Sequence, residues 1–317
     1  MCGSCCFGCS RSIKQLYETA KGEKYSMRVT RLYESKKPVI SMEFFPPRNE
    51  KAAQTFSKTI DDLAELKPDY MSITFGAGGS TRDGSYQTVK EVMIDKKQPA
   101  VAYIAGYGLG PEEIIGVLDR YQALGVKTIF VIRGDKPRED TFTPHTQSFA
   151  HASEMIAFIK ERYDFTLGCA GYPEGHVEAQ SLDKDIEYLK CKVDNGAEYV
   201  VAQYFYNNAF FFDYVKKCRA AGVAVPIIPG IMPVYTAKMT KMLCKVCGAS
   251  IPADLQSRLD TVDADDKNAV LKLGIDFATG QCRGLLKEGV NGLHFYTMDR
   301  SHSTAQILNK LKEEKLL

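Results

Sequence analysis

One glutamate in this sequence stands where acid–base chemistry would need it. Glu43 follows the apolar run 38–42, and two phenylalanines and the proline pair 46–47 come after it. Because proline lacks an N–H group and has a fixed φ, the pair ends a β-strand and leaves Glu43 near the carboxyl end of that strand. In an apolar cleft, burial would favour the protonated carboxyl that a general acid requires. The alternatives are a surface glutamate and an ion pair with Arg48.

Polar residues suited to binding a flat heterocycle recur after later apolar runs. Arg133 and Asp135 flank a glycine that permits close backbone approach. Tyr172 and His176 frame a short loop, and Gln203 is an amide with two donors and one acceptor amid apolar neighbours. The structural alternatives are an ion pair in the loop, a helix cap for His176 and a satisfied core amide for Gln203. Further polar residues at such positions are Thr74, Glu174, His294 and Arg300.

A regular alternation of strands and helices from residue 38 onward would position these side chains. The predicted strands are 39–45, 70–76, 100–105, 128–133, 166–172, 199–205, 225–231 and 292–297. The predicted helices are 52–66, 84–94, 111–124, 149–162, 179–195, 210–221, 269–288 and 303–313, with an extra helix at 238–247. Apolar strands that alternate with helices predict an α/β protein, a (β/α)8 TIM barrel forming one domain over 38–317. An open doubly wound sheet is the alternative. In such a barrel the carboxyl ends of the strands would bring the polar residues together.

Charge and apolar patterning argue against several partners. The net charge of +2 over 317 residues gives no basic surplus, so we expect no nucleic acid partner. No apolar run approaches the roughly 18 residues of a membrane span. The N-terminus lacks the apolar core of a secretory signal, and we expect a cytoplasmic location.

The ten cysteines are unevenly placed. Residues 1–37 lack core periodicity and are predicted to be an N-terminal extension, which contains Cys2, Cys5, Cys6 and Cys9. Such thiols are ligand types for zinc or an iron–sulfur cluster, but adjacent cysteines make one tetrahedral site awkward, so no metal site is predicted. Acylation and an interaction tail are alternatives. Cys244 and Cys247 form a Cys-x-x-Cys that is either redox-active or buried on a helix.

Seven motifs together resemble the flavin-dependent methylenetetrahydrofolate reductases of bacteria. In chain order they are Ser-Met-Glu-Phe-Phe-Pro-Pro, Ser-Ile-Thr-Phe-Gly-Ala, Ile-Arg-Gly-Asp, Ala-Gly-Tyr-Pro-Glu-Gly-His, Ala-Gln-Tyr-Phe, Pro-Gly-Ile-Met-Pro and His-Phe-Tyr-Thr-Met-Asp-Arg. The resemblance implies a barrel that binds FAD, or alternatively FMN. It further implies ping-pong hydride transfer from NADH or NADPH through the flavin, which reduces 5,10-methylenetetrahydrofolate to 5-methyltetrahydrofolate in one-carbon metabolism and methionine biosynthesis.

The resemblance also implies roles for individual residues. Glu43 would be the general acid that opens the folate's five-membered ring, and Asp135 the carboxylate near flavin and pterin. The implied cofactor-binding residues are Thr74, Tyr103, Arg133, Gly134, Asp135, Ala152, Ala170, Tyr172, His176, Asp185, Tyr188 and Lys192. The implied substrate-binding residues are Glu43, Thr74, Asp135, Gln203 and Arg300.

Four positions depart from the enterobacterial pattern of this family. Tyr103 replaces a histidine at the adenosine end, Tyr188 an asparagine, and Met239 a glutamine that reaches the folate. Cys191 replaces an arginine near the pyrophosphate, which removes a bidentate charge-assisted contact. For this reason FMN remains an alternative to FAD.

Electron donor and assembly are left open by the sequence. No dinucleotide fingerprint is present, so NADH, NADPH and an electron-donating protein are all compatible. The alternative function is a folate-binding barrel subunit of a larger redox complex that receives electrons from an iron–sulfur partner. A pterin-dependent methyltransferase domain is a third reading of the barrel. We expect a homo-oligomer or a heteromeric complex.

Overall fold

The computed structural model describes residues 27–35, 37–47, 49–76, 79–136 and 143–317. The four N-terminal cysteines and Arg48 lie outside this part of the chain. The predictions for the four cysteines and for an ion pair between Arg48 and Glu43 therefore concern residues that are not described, as does most of the predicted extension.

Eight parallel strands close into a barrel in chain order, which confirms the (β/α)8 prediction and makes the open-sheet alternative wrong. The strands are β1 (Val39–Phe44), β2 (Tyr70–Ile73), β3 (Ala100–Ala105), β4 (Thr128–Ile132), β5 (Thr166–Gly171), β6 (Tyr199–Tyr204), β7 (Ile227–Ile231) and β8 (Gly292–Tyr296). Closure occurs between β1 and β8, where Ser41 lies opposite His294 and Glu43 opposite Tyr296. Each strand is almost wholly buried, because helices cover the outside and side chains fill the inside.

Helices follow the strands around the outside of the barrel. They are α1 (Glu50–Ala64), α2 (Gly79–Lys90) with a π-helical turn (Glu91–Asp95), α3 (Pro111–Leu124), α4 (Ala152–Arg162), α5 (Leu182–Asp194), α6 (Asn208–Ala220), α7 (Ala237–Cys247), α8 (Ala253–Asp260), α9 (Lys267–Lys287) and α10 (Ser301–Glu313). Helix α8 was not predicted from the sequence. Its buried residues are only Leu255 and Leu259. One apolar pair at i and i+4 is too short a pattern to distinguish from a turn. None of the described helices combines the length and hydropathy that a bilayer crossing needs.

The amino-terminal end of the barrel is filled by a segment from the predicted extension. Val29 is fully buried, and Tyr33 is 6% exposed in the same interior cluster. The Val29 backbone N–H donates to Thr128 Oγ1 (3.2 Å), and that hydroxyl donates to the Met27 carbonyl (2.9 Å). The boundary at residue 37 stays a prediction, but the packed interior of the barrel includes residues that precede it.

We expect Gly274→Ala to destabilise the protein. Gly274 lies on α9, and an added Cβ would sit 2.2 Å from the Val234 carbonyl oxygen, so backbone must move. Overpacking of this kind costs about 1–3 kcal/mol. Gly116→Ala on α3 is the matched control, because a Cβ there meets nothing within 4 Å; alanine should instead stabilise that helix by about 0.5–1 kcal/mol. Urea unfolding checks both changes, and equal effects at the two glycines would contradict the packing argument.

Candidate active site

A cavity of about 460 Å³ opens at the carboxyl ends of the strands and is called the mouth cavity. It brings together most of the polar residues that the sequence pointed to, although they lie far apart in the chain. Those that line it are Glu43, Thr74, Tyr103, Arg133, Gly134, Asp135, Ala170, Tyr172, His176 and Gln203. The prediction that strand ends collect these side chains is therefore met by the geometry.

A second space of about 570 Å³, the outer cavity, lies between α4 and α5. It shares Arg133, Ala170, Tyr172 and His176 with the mouth cavity, so the two spaces are contiguous. The other residues of interest that line it are Ala152, Asp185, Tyr188, Cys191 and Lys192. A long ligand with a flat head and a polar tail could extend from one cavity into the other.

Glu43 is held on two sides inside the mouth. It is 6% exposed, so the surface alternative is wrong. The Tyr103 hydroxyl donates to Glu43 Oε2 at 2.7 Å, and His294 Nε2 lies 3.7 Å from the same oxygen. The Thr297 hydroxyl donates to the Glu43 backbone carbonyl (2.6 Å), which ties the end of β1 to the end of β8. Glu43 Oε1 has no hydrogen-bond partner among the described residues and is the carboxyl oxygen available to a ligand.

Tyr103 is placed to fix the orientation of Glu43. Its ring stacks on Phe130 at a centroid distance of 4.5 Å. Burial, together with the negative charge of Glu43, raises the pKa of Tyr103 far above its usual range, so the phenol keeps its proton and remains a donor. The resemblance places an adenosine contact at this position, whereas here the side chain points to Glu43 in the barrel interior, away from the outer cavity.

The outer cavity contains a buried carboxylate beside a cation. Asp185 Oδ2 is buried and has no hydrogen-bond partner among the described residues. Burial raises the pKa of Asp185, while the charges of Lys192 and His176 oppose that rise. The Lys192 ammonium donates to the Ala170 carbonyl (2.6 Å) and lies 5.8 Å from the centre of the Tyr172 ring. A ligand hydroxyl would satisfy the unpartnered oxygen of Asp185.

Arg133 forms an ion pair, but not with Asp135 as the sequence alternative supposed. Its guanidinium donates to both carboxylate oxygens of Glu178, at 2.6 and 3.1 Å. These hydrogen bonds raise the pKa of Arg133. Exposed pairs of this kind contribute little to stability, so a ligand anion could displace Glu178 at small cost. Asp135 then lies in the mouth cavity with no ion pair among the described residues.

Two of the remaining expected residues differ in placement. Gln203 is half-buried in the mouth cavity, and its Oε1 accepts the Tyr204 N–H (3.1 Å), which leaves its amide donors for a ligand. Arg300 lines neither cavity; its guanidinium lies 5.0 Å above the Tyr235 ring on the rim.

Two residues for which the sequence predicted no role also contribute to the site. Tyr296 lines the mouth, and Asp299 accepts the Phe45 N–H at 3.0 Å.

Sequence and structure comparisons place this geometry among known proteins. A family model described as methylenetetrahydrofolate reductase matches residues 28–312. The 5,10-methylenetetrahydrofolate reductase of Escherichia coli is 33% identical over 272 residues, which cover 86% of this chain and 90% of that protein. Methylenetetrahydrofolate reductase 1 of Schizosaccharomyces pombe is 32% identical over 278 residues, 87% of this chain and 46% of that protein. The chain thus spans about half the length of the yeast and plant relatives it matches.

A solved structure shares the fold. It is an uncharacterized protein from Clostridium thermocellum described as binding two copies of 5-methyl-5,6,7,8-tetrahydrofolic acid. It superposes with a TM-score of 0.61 at 19% identity, covering 91% of this chain and 99% of that chain. At this identity the likeness supports the barrel architecture alone.

We expect Asp299→Asn to gain stability relative to the wild type as the pH rises. Burial raises the pKa of Asp299 from 3.8 to about 6, the hydrogen bond from Phe45 opposes this, and the Glu43 charge adds to it. Because the folded state binds this proton more tightly than the unfolded chain, stability falls between about pH 4 and pH 6 as the proton is lost. Asparagine removes this loss and keeps an oxygen for the Phe45 N–H.

Urea unfolding at about pH 4 and about pH 7.5 measures this effect. The variant's advantage over the wild type should be larger at the higher pH by about 1–2 kcal/mol, after allowance for partial exposure. Asp254→Asn, at an exposed site on α8, controls for the changed net charge. An advantage of Asp299→Asn that is equal at both pH values would contradict the assignment.

Proposed function

Because the chain belongs to the methylenetetrahydrofolate reductase family, we propose that its barrel mouth reduces 5,10-methylenetetrahydrofolate to 5-methyltetrahydrofolate by ping-pong hydride transfer through a flavin. The observation that carries the proposal is the buried carboxyl of Glu43, oriented by Tyr103 in a cavity that Asp135 and Gln203 also line. An acid, an anion and an amide in one cavity are what protonation of an aminal and stabilisation of the resulting cation require.

The two contiguous cavities fit a flavin. A bound flavin would accept a hydride from a nicotinamide nucleotide and pass it to the folate. Tyr172 and His176 would contact its ring system, because both face the mouth and the outer cavity. Asp185 would accept a hydroxyl of the polar tail through its unpartnered oxygen, and Lys192 would supply a positive charge nearby. FAD is the proposed form, since the outer cavity offers room beyond the ring.

The residues of the mouth divide the folate chemistry among them. Glu43 Oε1 would deliver a proton to the ring nitrogen that leaves when the five-membered ring of the folate opens. Asp135 would stabilise the positive charge of the resulting iminium, and Gln203 would donate to the pterin edge. Tyr103 touches only Glu43 Oε2, so its part is to position the acid.

The proposal also covers the hydride donor, the cellular location and the assembly of the protein. Relatives carry NADH or NADPH in their names, in Arabidopsis thaliana and Caenorhabditis elegans respectively, and we propose one of these nucleotides as hydride donor. A cytoplasmic location and a multi-subunit assembly complete the proposal. Turnover of NADH by the isolated chain, unaffected by deletion of residues 1–12, is expected; dependence on those residues would instead favour a protein donor.

Glu43→Gln should separate the two half-reactions. Glutamine cannot donate the proton, so oxidation of the reduced flavin by 5,10-methylenetetrahydrofolate should slow by about 100-fold or more. Reduction of the flavin by NADH should stay within about twofold, because that step needs no acid at this position. Stopped-flow absorbance of the flavin measures both rates. Glu112→Gln, on the exposed face of α3, is the control and should match the wild type. Equal losses in both half-reactions would assign Glu43 a structural role.

Cys191→Arg should strengthen binding of FAD over FMN. Cys191 lines the outer cavity where the resemblance expects an arginine at the pyrophosphate. A charge-assisted contact to a second phosphate is worth about 1.5–3 kcal/mol, which corresponds to roughly tenfold or more in affinity. Flavin binding to the deflavinated protein, followed by quenching of flavin fluorescence, measures this for FAD and FMN. Cys191→Gln adds length without charge and should leave both affinities unchanged; equal tightening of FMN and FAD by arginine would contradict the placement of the pyrophosphate.

A further inference from the structure

A row of hydrogen-bonding side chains runs along one side of the barrel interior towards Glu43. It starts at the barrel's amino-terminal end, where the Tyr33 and Tyr70 hydroxyls lie 2.7 Å apart. Ser41 lies opposite Tyr70 on the neighbouring strand, and its hydroxyl is close enough to affect the pKa of Tyr70. Ser41 Oγ lies 2.8 Å from His294 Nδ1, and His294 Nε2 lies 3.7 Å from Glu43 Oε2. We call these four residues, Tyr33, Tyr70, Ser41 and His294, the polar row.

Strand register explains how the row is assembled. Ser41 on β1 lies opposite Tyr70 on β2 and opposite His294 on β8. Because side chains alternate along a strand, Glu43 points to the same interior two residues further along β1. Three neighbouring strands thus supply one level of polar groups below Glu43, and Tyr33 completes it from the segment that fills the base.

The polar row runs through β1, β2 and β8. On strands β3, β6 and β7 the same interior cluster contains Val101, Val201 and Ile228 together with two tyrosines. Of these tyrosines, Tyr103 donates to Glu43 and Tyr199 has a hydroxyl without a hydrogen-bond partner among the described residues. Barrels of this type are usually filled with branched aliphatic residues. Burying hydroxyls and an imidazole instead costs free energy unless each is paired. A row of neighbouring polar groups that leads to the acid therefore calls for a role.

His294 links the polar row to Glu43 through its two ring nitrogens. Its ring is fully buried, and Nε2 has no hydrogen-bond partner among the described residues. Nδ1 is engaged by Ser41, so the nitrogen that faces Glu43 is the one left without a bond. A closure of less than 1 Å would bring Nε2 into hydrogen-bond range of the carboxylate.

The base of the row lies close to solvent, although the Tyr33 hydroxyl itself is buried. Tyr33 lines an open cavity of about 550 Å³ at the amino-terminal end, together with Glu34, Lys160 and Glu198. Asp69, half-buried nearby, is close enough that its charge adds to the raised pKa values of Tyr33 and Tyr70. At the other end Glu43 is only 6% exposed, so a pterin ring lying over it would leave little room for water.

We propose that the polar row conducts protons from the base of the barrel to Glu43, so that the acid is reprotonated while the mouth is covered. The inference rests on the proposed function, in which Glu43 gives up one proton each time a folate ring opens. Reprotonation from below removes the carboxylate that could take that proton back, and so it disfavours ring closure before the hydride arrives.

In each turnover one proton enters the row at Tyr33 and one proton leaves it at Glu43. Glu43 Oε2 takes the proton of His294 Nε2, while Nδ1 takes the Ser41 hydroxyl proton. Rotation of the Glu43 carboxyl group about its Cγ–Cδ bond then turns the protonated oxygen towards the mouth, where the next proton is delivered. Ser41 is replenished by Tyr70, Tyr70 by Tyr33, and Tyr33 by water at the base. No phenolate accumulates, because burial keeps the pKa of Tyr70 at about 12 and that of Tyr33 well above its usual range. The hydroxyls then rotate back, and the imidazole returns to its Nε2–H tautomer before the next turnover.

Removal of single hydroxyls tests the path, with a matched control inside the same cluster. Tyr33→Phe and Tyr70→Phe each break the row without changing ring volume. Tyr199→Phe is the control: its ring lies 6.1 Å from that of Tyr33, and its buried hydroxyl has no hydrogen-bond partner among the described residues. In the purified protein with labelled histidine, exchange of the His294 imidazole N–H with water is measured by NMR. We expect exchange to slow roughly tenfold in Tyr33→Phe and Tyr70→Phe and to stay at the wild-type rate in Tyr199→Phe.

Stopped-flow kinetics supply the second readout. In both row variants the folate half-reaction should slow by about tenfold with a larger solvent isotope effect, and NADH should reduce the flavin at the wild-type rate. Wild-type exchange and wild-type folate rates in Tyr33→Phe would overturn the proposal, and so would an equal slowing in Tyr199→Phe, which would indicate packing alone. A wild-type protein that fails to reduce methylenetetrahydrofolate would refute the proposed function, while the exchange comparison would still decide whether the row conducts protons.

Discussion

The structure depends on keeping a carboxyl group inside a barrel that would otherwise be apolar. Burial of Glu43 without partners would cost several kcal/mol if it carried a charge. The cost is limited by Tyr103, which donates to one oxygen, and by His294, which stands close to the same oxygen. Because both side chains approach Oε2, the constraint that makes burial tolerable leaves Oε1 for the proposed proton transfer. The placement of Tyr103 and His294 at Oε2 thus serves both the stability of the buried carboxyl group and its proposed chemistry.

The division into two contiguous cavities follows from where the polar groups lie. The mouth cavity holds Glu43 and Asp135, the proposed proton donor and the proposed stabiliser of a transient cation, whereas the outer cavity holds Asp185 and Lys192 beside apolar walls. Arg133 stands at the junction and is neutralised by Glu178. A ligand phosphate arriving there would replace one carboxylate with another anion, so binding would not require an unpaired buried charge in either state.

Much of the fold could be predicted from the sequence because it is encoded locally. Eight apolar runs predict the strands with no boundary more than three residues from the observed one, and strand-end polar residues such as Glu43 and Gln203 do meet in one cavity. Contacts that depend on register could not be predicted: Ser41 and His294 are 253 positions apart, and no local pattern says that they lie opposite each other. Tyr33 was hidden for another reason, since one tyrosine in a segment without periodicity gives no burial signal.

Backbone conformation after β8 shows how the rim is held in place. Met298 and Asp299 both have positive φ, 50° and 55°, which costs non-glycine residues about 1–2 kcal/mol each. The turn is fixed by the Thr297 hydroxyl, which donates to the Glu43 carbonyl and accepts the Asp299 N–H. Asp299 in turn accepts the Phe45 N–H. Strain in the turn after β8 is thus offset by hydrogen bonds to the Glu43 carbonyl and from the Phe45 N–H, and the end of β1 cannot relax without releasing both.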